Sequence, residues 1–340
     1  MKKTTANLVV GLLLGGLLTV RGFGQQDNQK LAQTGFQFLS VVSDARAAAL
    51  AEAMTSLQIG SSALFFNPAG MADMTTLFDV SLSKNNWIAD ISHTAYSLAL
   101  SPAGGSYGVF GFSAQSVNYG KFYGTRVNKA AALGYEDTGI FELSALALGV
   151  GYAKQLTDRF SVGGQVRWVR QDLGNHDYAV FNETDSLTTL NKVTNELEPL
   201  VFDFGTQFKT GIKSLVFGMS VRNFSKEVKY VEEGFQAPLV FNLGISLNVM
   251  DFVKVASIDQ SLHVSVDASH FRDHPEQIKI GLDYRLMKVL SLRGGYVANN
   301  DEDGFSFGAG VSQSGFAFDY AYTPFGVFDK VQRMTARFSL

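Results

Sequence analysis

The stretch Ser261 to Ser269 sets Leu262, Val264, Val266 and Ala268 on alternate positions between Ser261, His263, Ser265, Asp267 and Ser269. The next segment repeats the pattern, with Ile278, Ile280, Leu282, Tyr284 and Leu286 against Gln277, Lys279, Gly281, Asp283 and Arg285. A period of two specifies extended strands, because successive side chains leave a pleated backbone on opposite faces. Each strand therefore needs an apolar medium on one side and water or a polar network on the other. A membrane barrel with a wet lumen supplies both.

The N-terminus reads as an export leader. Lys2 and Lys3 precede an apolar run from Leu8 to Val20, and Gly22-Phe23-Gly24 offers small residues for cleavage before Gln25. That run falls short of the roughly 20 residues a membrane helix needs. The expected leader is 1–24. The chain has no cysteine, which excludes disulfides, thiolate chemistry and a lipid-modified N-terminus. Losing Lys2, Lys3 and Arg21 with the leader leaves 25 basic against 31 acidic residues, a net charge of −6. Nothing in that balance favours nucleic acid as a partner.

Fourteen strand-like segments follow: 75–84, 91–101, 105–117, 140–155, 159–172, 198–209, 213–223, 238–248, 260–270, 276–286, 289–298, 304–312, 315–323 and 331–340. Many have the length of about ten residues with which a tilted strand crosses a bilayer. Tight connections at 102–104, 156–158, 210–212 and 313–314 mostly alternate with long ones at 118–139, 173–197, 224–237 and 324–330. Barrels with unlike ends sort their loops this way; the medium-length connection 249–259 breaks the pattern. The last strand sets Met334, Ala336, Phe338 and Leu340 on one face. The expected fold is all-β: a transmembrane antiparallel β-barrel of about 14 strands over 75–340. Aromatic pairs such as Phe36 and Phe38, Phe65 and Phe66, Phe202 and Phe204, and Phe316 with Phe318 are candidates for interfacial girdles or for packing.

Residues 25–74 differ in kind and are expected to form an N-terminal plug in the lumen. Asp44 to Met54 is alanine-rich, and Asp44 is placed to cap a short helix. Leu64, Phe65 and Phe66 are candidates for an apolar plug pocket. Asn67-Pro68-Ala69-Gly70 punctuates the chain sharply.

The order Phe38-Leu39, Asp44-Ala45-Arg46-Ala47, Ser62-Ala63-Leu64-Phe65-Phe66-Asn67-Pro68-Ala69-Gly70, Phe217 to Phe224 and Phe318 to Gly326 resembles the PorV/PorQ family of Bacteroidota. That family is itself similar to FadL-type outer-membrane proteins. The resemblance runs from about residue 35 to the C-terminus. It implies an outer-membrane location and a fourteen-stranded barrel with a plug. It also implies work in type IX secretion, through binding of the C-terminal signals of secreted cargo or scaffolding of the surface-attachment machinery. The similarity to FadL implies the alternative, a channel for uptake of hydrophobic small molecules.

Charges expected to face the lumen are Arg167, Asp203, Asp267, Lys279, Asp283, Arg285, Arg293, Asp319 and Arg337, with His263 among them. Both signs occur in similar numbers, which favours a paired structural network over an ion-selective pore, since desolvated charges must be paired. Catalysis has little support. His263, Ser265 and Asp267 share one strand face, but residues two apart stand about 7 Å from each other, and no Gly-x-Ser-x-Gly turn occurs. His270 and His274 around Asp273, and the acidic run Asn299 to Gly304, read as loops ahead of metal sites. No cofactor or metal is expected.

Overall fold

Each of the fourteen expected segments forms one strand of a closed antiparallel ring in the computed structural model. The structure describes residues 34–128, 131–182, 187–230, 232–253, 259–300, 304–326 and 330–340; the expected leader and residues 25–33 lie outside them. The strands are β1 (Phe78–Asn86), β2 (Ser92–Leu100), β3 (Val109–Val127), β4 (Tyr135–Thr157), β5 (Phe160–Asn182), β6 (Leu187–Leu197), β7 (Leu200–Lys209), β8 (Val216–Ser225), β9 (Val228–Lys229), β10 (Gly234–Phe235), β11 (Val240–Asn248), β12 (Gln260–Phe271), β13 (Gln277–Leu286), β14 (Leu290–Ala298), β15 (Phe305–Gln313), β16 (Phe316–Pro324) and β17 (Lys330–Ser339). Sequence neighbours pair around the ring, except that β5 bonds directly to β7 and β8 to β11. Pairing of β1 with β17, from Asp79 opposite Ser339 to Asn86 opposite Gln332, closes the ring and leaves it without an edge. β6 stands outside it, bonded to the far part of β5, and β9 with β10 makes a two-residue ribbon.

The alternation in the sequence is the division between the two faces of this ring. Ser265, Asp267 and Ser269 of β12 are buried, as are Lys279 and Asp283 of β13. Leu82, Phe112, Val150, Phe204, Met219, Leu243, Leu282, Leu292, Phe307 and Phe318, drawn from ten different strands, are exposed on the outer face. A belt of that extent far exceeds the apolar patch of a water-soluble monomer. The chain is a membrane-spanning barrel.

Residues 36–74 are held by inward-facing groups on many sides of the ring. Asp79 of β1 accepts from the Ser61 amide at 2.7 Å, and Asn85 of the same strand donates to the Val42 carbonyl at 3.1 Å. Gln115 of β3 donates to the Phe38 carbonyl. Gln207 of β7 donates to Leu57, Asp267 of β12 accepts from the Thr55 amide at 2.9 Å, and Thr335 of β17 accepts from the Ala45 amide. Only a segment inside the ring reaches all of these strands. It starts at the end that carries the long connections, where Gly35 donates to the Gln236 carbonyl. It finishes at the opposite end, where β1 begins beside Leu340.

Three local expectations change. The helix is shorter than the alanine run: α1 is Ala45–Ala49, capped by the Asp44 side chain on the Ala47 amide. It stops because Ala51 and Glu52 both adopt left-handed backbone, φ 50° and 65°. The connections 118–139 and 173–197 are largely strand, since β3, β4 and β5 run on past the ring and β6 pairs with β5. Phe36 and Phe38 join no girdle; both are buried in the lumen. Residues 254–258, within the medium-length connection, and 301–303, within the acidic run, lie outside the described residues.

Candidate functional site

Inward glycines let the lumen segment approach the wall. A Cβ on Gly205 of β7 would sit 1.9 Å from Asn67 Oδ1, and one on Gly163 of β5 would sit 2.5 Å from the Ala69 nitrogen. Into that recess fits the Asn67-Pro68-Ala69-Gly70 turn. Asn67 Oδ1 accepts from the Ala69 amide, and its Nδ2 donates to the carbonyls of Thr55, 2.7 Å, and Thr206, 3.0 Å. Pro68 starts a short 3-10 turn that runs to Met71, where its missing N–H costs nothing. Asn67, Pro68, Ala69 and Gly70 are all buried, and their place is against the wall rather than around a ligand.

The paired lumen charges form three groups. Arg46 of α1 reaches Asp283 at 3.0 Å, Arg293 bridges Asp283 (3.1 Å) and Asp319 (2.5 Å), and Arg285 stands 3.8 Å from Asp283. Across the lumen, two nitrogens of Arg167 lie 2.8 Å from the two oxygens of Asp203. Lys279 pairs with Glu52 at 2.7 Å, so one wall charge holds the turn at Ala51–Glu52. Asp267 serves the Thr55 amide instead of an ion pair. His263 faces Asp283 across the β12–β13 ladder, and Arg337 on β17 forms no ion pair among the described residues. Most of these charges are thus joined to one another or to the lumen segment.

A β-bulge on β8 sets an inward asparagine beside an inward arginine. On β8, Gly218 and Ser220 face inward, and so do Asn223 and Ser225, so the parity switches between them. Arg222 and Asn223 together oppose Asp203 of β7. Asn223 takes left-handed backbone, φ 63°, which asparagine tolerates. Its amide donates to Asp203 at 2.7 Å, and its side chain donates to the Pro238 carbonyl. Arg222, on the same parity as Gly218 and Ser220, points into the lumen, its guanidinium 5.7 Å from the centre of the Phe66 ring. The break from even to odd inward positions in Gly218-Met219-Ser220-Val221-Arg222-Asn223 was the available sequence signal.

Arg222 lines a cleft of about 340 Å³, its open mouth included, narrow enough that only a water-sized body moves freely in it. Leu39, Val41, Val42, Phe65, Phe66 and Ala95 give it apolar walls, and Asp44, Gln115, Arg167 and Arg222 supply polar groups. Phe65 and Phe66 therefore face this space. Leu64 does not; it packs against the wall at Gly111 and Gly151. Toward the long-connection end the inner wall turns apolar: Phe36, Phe38 and Leu39 pack with Val117, Ala145, Ala147, Val169 and Val201. At the rim, Asp273 accepts from Thr34 (2.5 Å) and Gln37 (2.8 Å) and pairs with His274 at 2.7 Å. Burial raises the Asp273 carboxyl, but those hydrogen bonds and the His274 charge outweigh it and hold the group below the usual carboxylate range.

No protein-family model matches the sequence, and no curated protein matches it. Solved structures do. The toluene transporter TodX of Pseudomonas putida aligns with a TM-score of 0.56 at 13% identity, over 87% of this chain and 96% of its own. A FadL homologue of Pseudomonas aeruginosa gives 0.53 at 14%, over 87% and 98%. The monoaromatic hydrocarbon channel CymD gives 0.53 at 11%, over 87% and 96%. At these identities the likeness is one of fold: this chain has a FadL-like barrel.

Proposed function

We propose that the protein is an outer-membrane channel for small hydrophobic molecules, with residues 36–74 serving as its plug. The observation that carries this reading is the apolar inner surface that runs from Phe36, Phe38 and Leu39 to Phe65 and Phe66 and borders a small cleft. Phe65 and Phe66 line the cleft, while Phe36 and Phe38 pack in the adjoining apolar cluster. The fold shared with hydrocarbon channels supports the same reading. Lipid of the outer membrane is the partner of the outer belt.

The second reading, a role in type IX secretion through cargo signals or attachment components, rests on the motif resemblance and on the β3–β4 hairpin beyond the ring. There Phe122 and Phe141 stack at 5.6 Å and Tyr123 is exposed. Deleting the gene separates the two. The channel reading expects slower uptake of toluene by cells with secreted proteins unchanged. Retention of secreted proteins in the periplasm with normal toluene uptake would transfer the assignment to secretion.

A further inference from the structure

We infer that the lumen cleft selects a small aromatic carboxylate over a neutral hydrocarbon, with Arg222 as the residue that sets this preference. The inference rests on the channel reading and narrows its substrate class.

Arg222 is the cation at the cleft whose neighbouring acids are already engaged. Asp203 is held by both oxygens on Arg167 and also accepts from the Asn223 amide. Glu52 is paired with Lys279. Asp44, which also lines the cleft, spends its two oxygens on the Ala47 amide and on Ser62 Oγ at 3.0 Å. Among the described residues no carboxylate lies within ion-pair distance of Arg222. Arg222 shares the inward parity of Gly218 and Ser220 and pairs with buried Val240 of β11, and its planar fork matches a carboxylate.

The rest of the cleft fixes what the carboxylate is attached to. Phe66 lies beneath the guanidinium, and Phe65, Leu39, Val41 and Val42 surround it. An aromatic ring stacks on such a surface while its carboxylate meets Arg222. The limited space disfavours long chains, and even a single ring must displace Phe66 or the bend at Val41–Val42 to enter.

Isothermal titration of the detergent-solubilised full-length protein tests this with benzoate, its neutral counterpart benzamide, and toluene. Wild type is expected to bind benzoate at least about ten-fold more tightly than benzamide, the scale of one hydrogen bond to a buried charge. Arg222→Gln is expected to remove that ratio, and Arg222→Lys to keep part of it. The benzoate-to-benzamide comparison needs only wild type, so it stands if a variant fails to fold. Binding of toluene with no preference for benzoate would overturn this inference and leave the channel reading in place. Binding of none of the three would overturn both.

Discussion

Asn67 of the lumen segment donates to the backbone carbonyl of Thr206 on barrel strand β7, at 3.0 Å. The same amide nitrogen holds the Thr55 carbonyl at 2.7 Å, and the side-chain oxygen caps Ala69. One buried side chain thus joins two turns of the segment to the wall. Asn67→Ala removes the cap and both donors, a loss of about 1–3 kcal/mol. The expected result is faster protease cleavage within 50–70 while the barrel keeps its heat-modifiable migration on a gel.

The glycine recess predicts a sharper effect. Gly205→Val places a side chain where Asn67 Oδ1 now sits, whereas Gly294 has open space at its Cβ position. Gly205→Val is expected to displace the segment and raise the conductance of planar bilayers containing the protein. Gly294→Val should leave the conductance at the wild-type value.

Breaking the Arg167–Asp203 pair leaves a buried guanidinium uncompensated. Asp203→Ala is expected to cost about 3–5 kcal/mol, and Arg167→Met with Asp203→Leu to recover most of it. Urea unfolding in detergent, followed by tryptophan fluorescence, measures both.

The rim contact has a defined pH response. The Asp273 carboxyl is depressed in the folded protein, so its contribution is fully present above the unfolded value of about 3.9 and fades as pH falls through the folded one. Exchange protection of the Gly35 amide, which donates to Gln236, should therefore hold from neutral pH down to about 4 and decline only below it. Asp273→Asn should lower that protection above about pH 4 and make little difference at the acid end, where the wild-type carboxyl is protonated.

Strands of the ring were legible because each has lipid on one side and a polar lumen on the other, which forces the two-residue alternation. Leu262 against Asp267 states that rule directly. The extensions of β3 and β4 were not legible, because both of their faces are largely exposed there and Tyr123, Arg126 and Glu136 obey no alternation. Arg222 follows the inward parity of Gly218 and Ser220, whereas Asn223 and Ser225 were hidden because a bulge switches the parity after it. The Asn67-Pro68-Ala69-Gly70 turn was visible as punctuation, but its recess depends on Gly163 and Gly205, some hundred residues away.

Passage of small hydrophobic molecules through this barrel, as proposed, can be measured. Toluene influx into sealed vesicles carrying the purified protein, compared with influx of a sugar of similar size, tests it most directly. The expected result is toluene influx above that of protein-free vesicles, sugar influx at the protein-free level, and a further change in toluene influx on replacing Phe38 or Phe66 with a polar residue. Toluene influx equal to that of protein-free vesicles would contradict it.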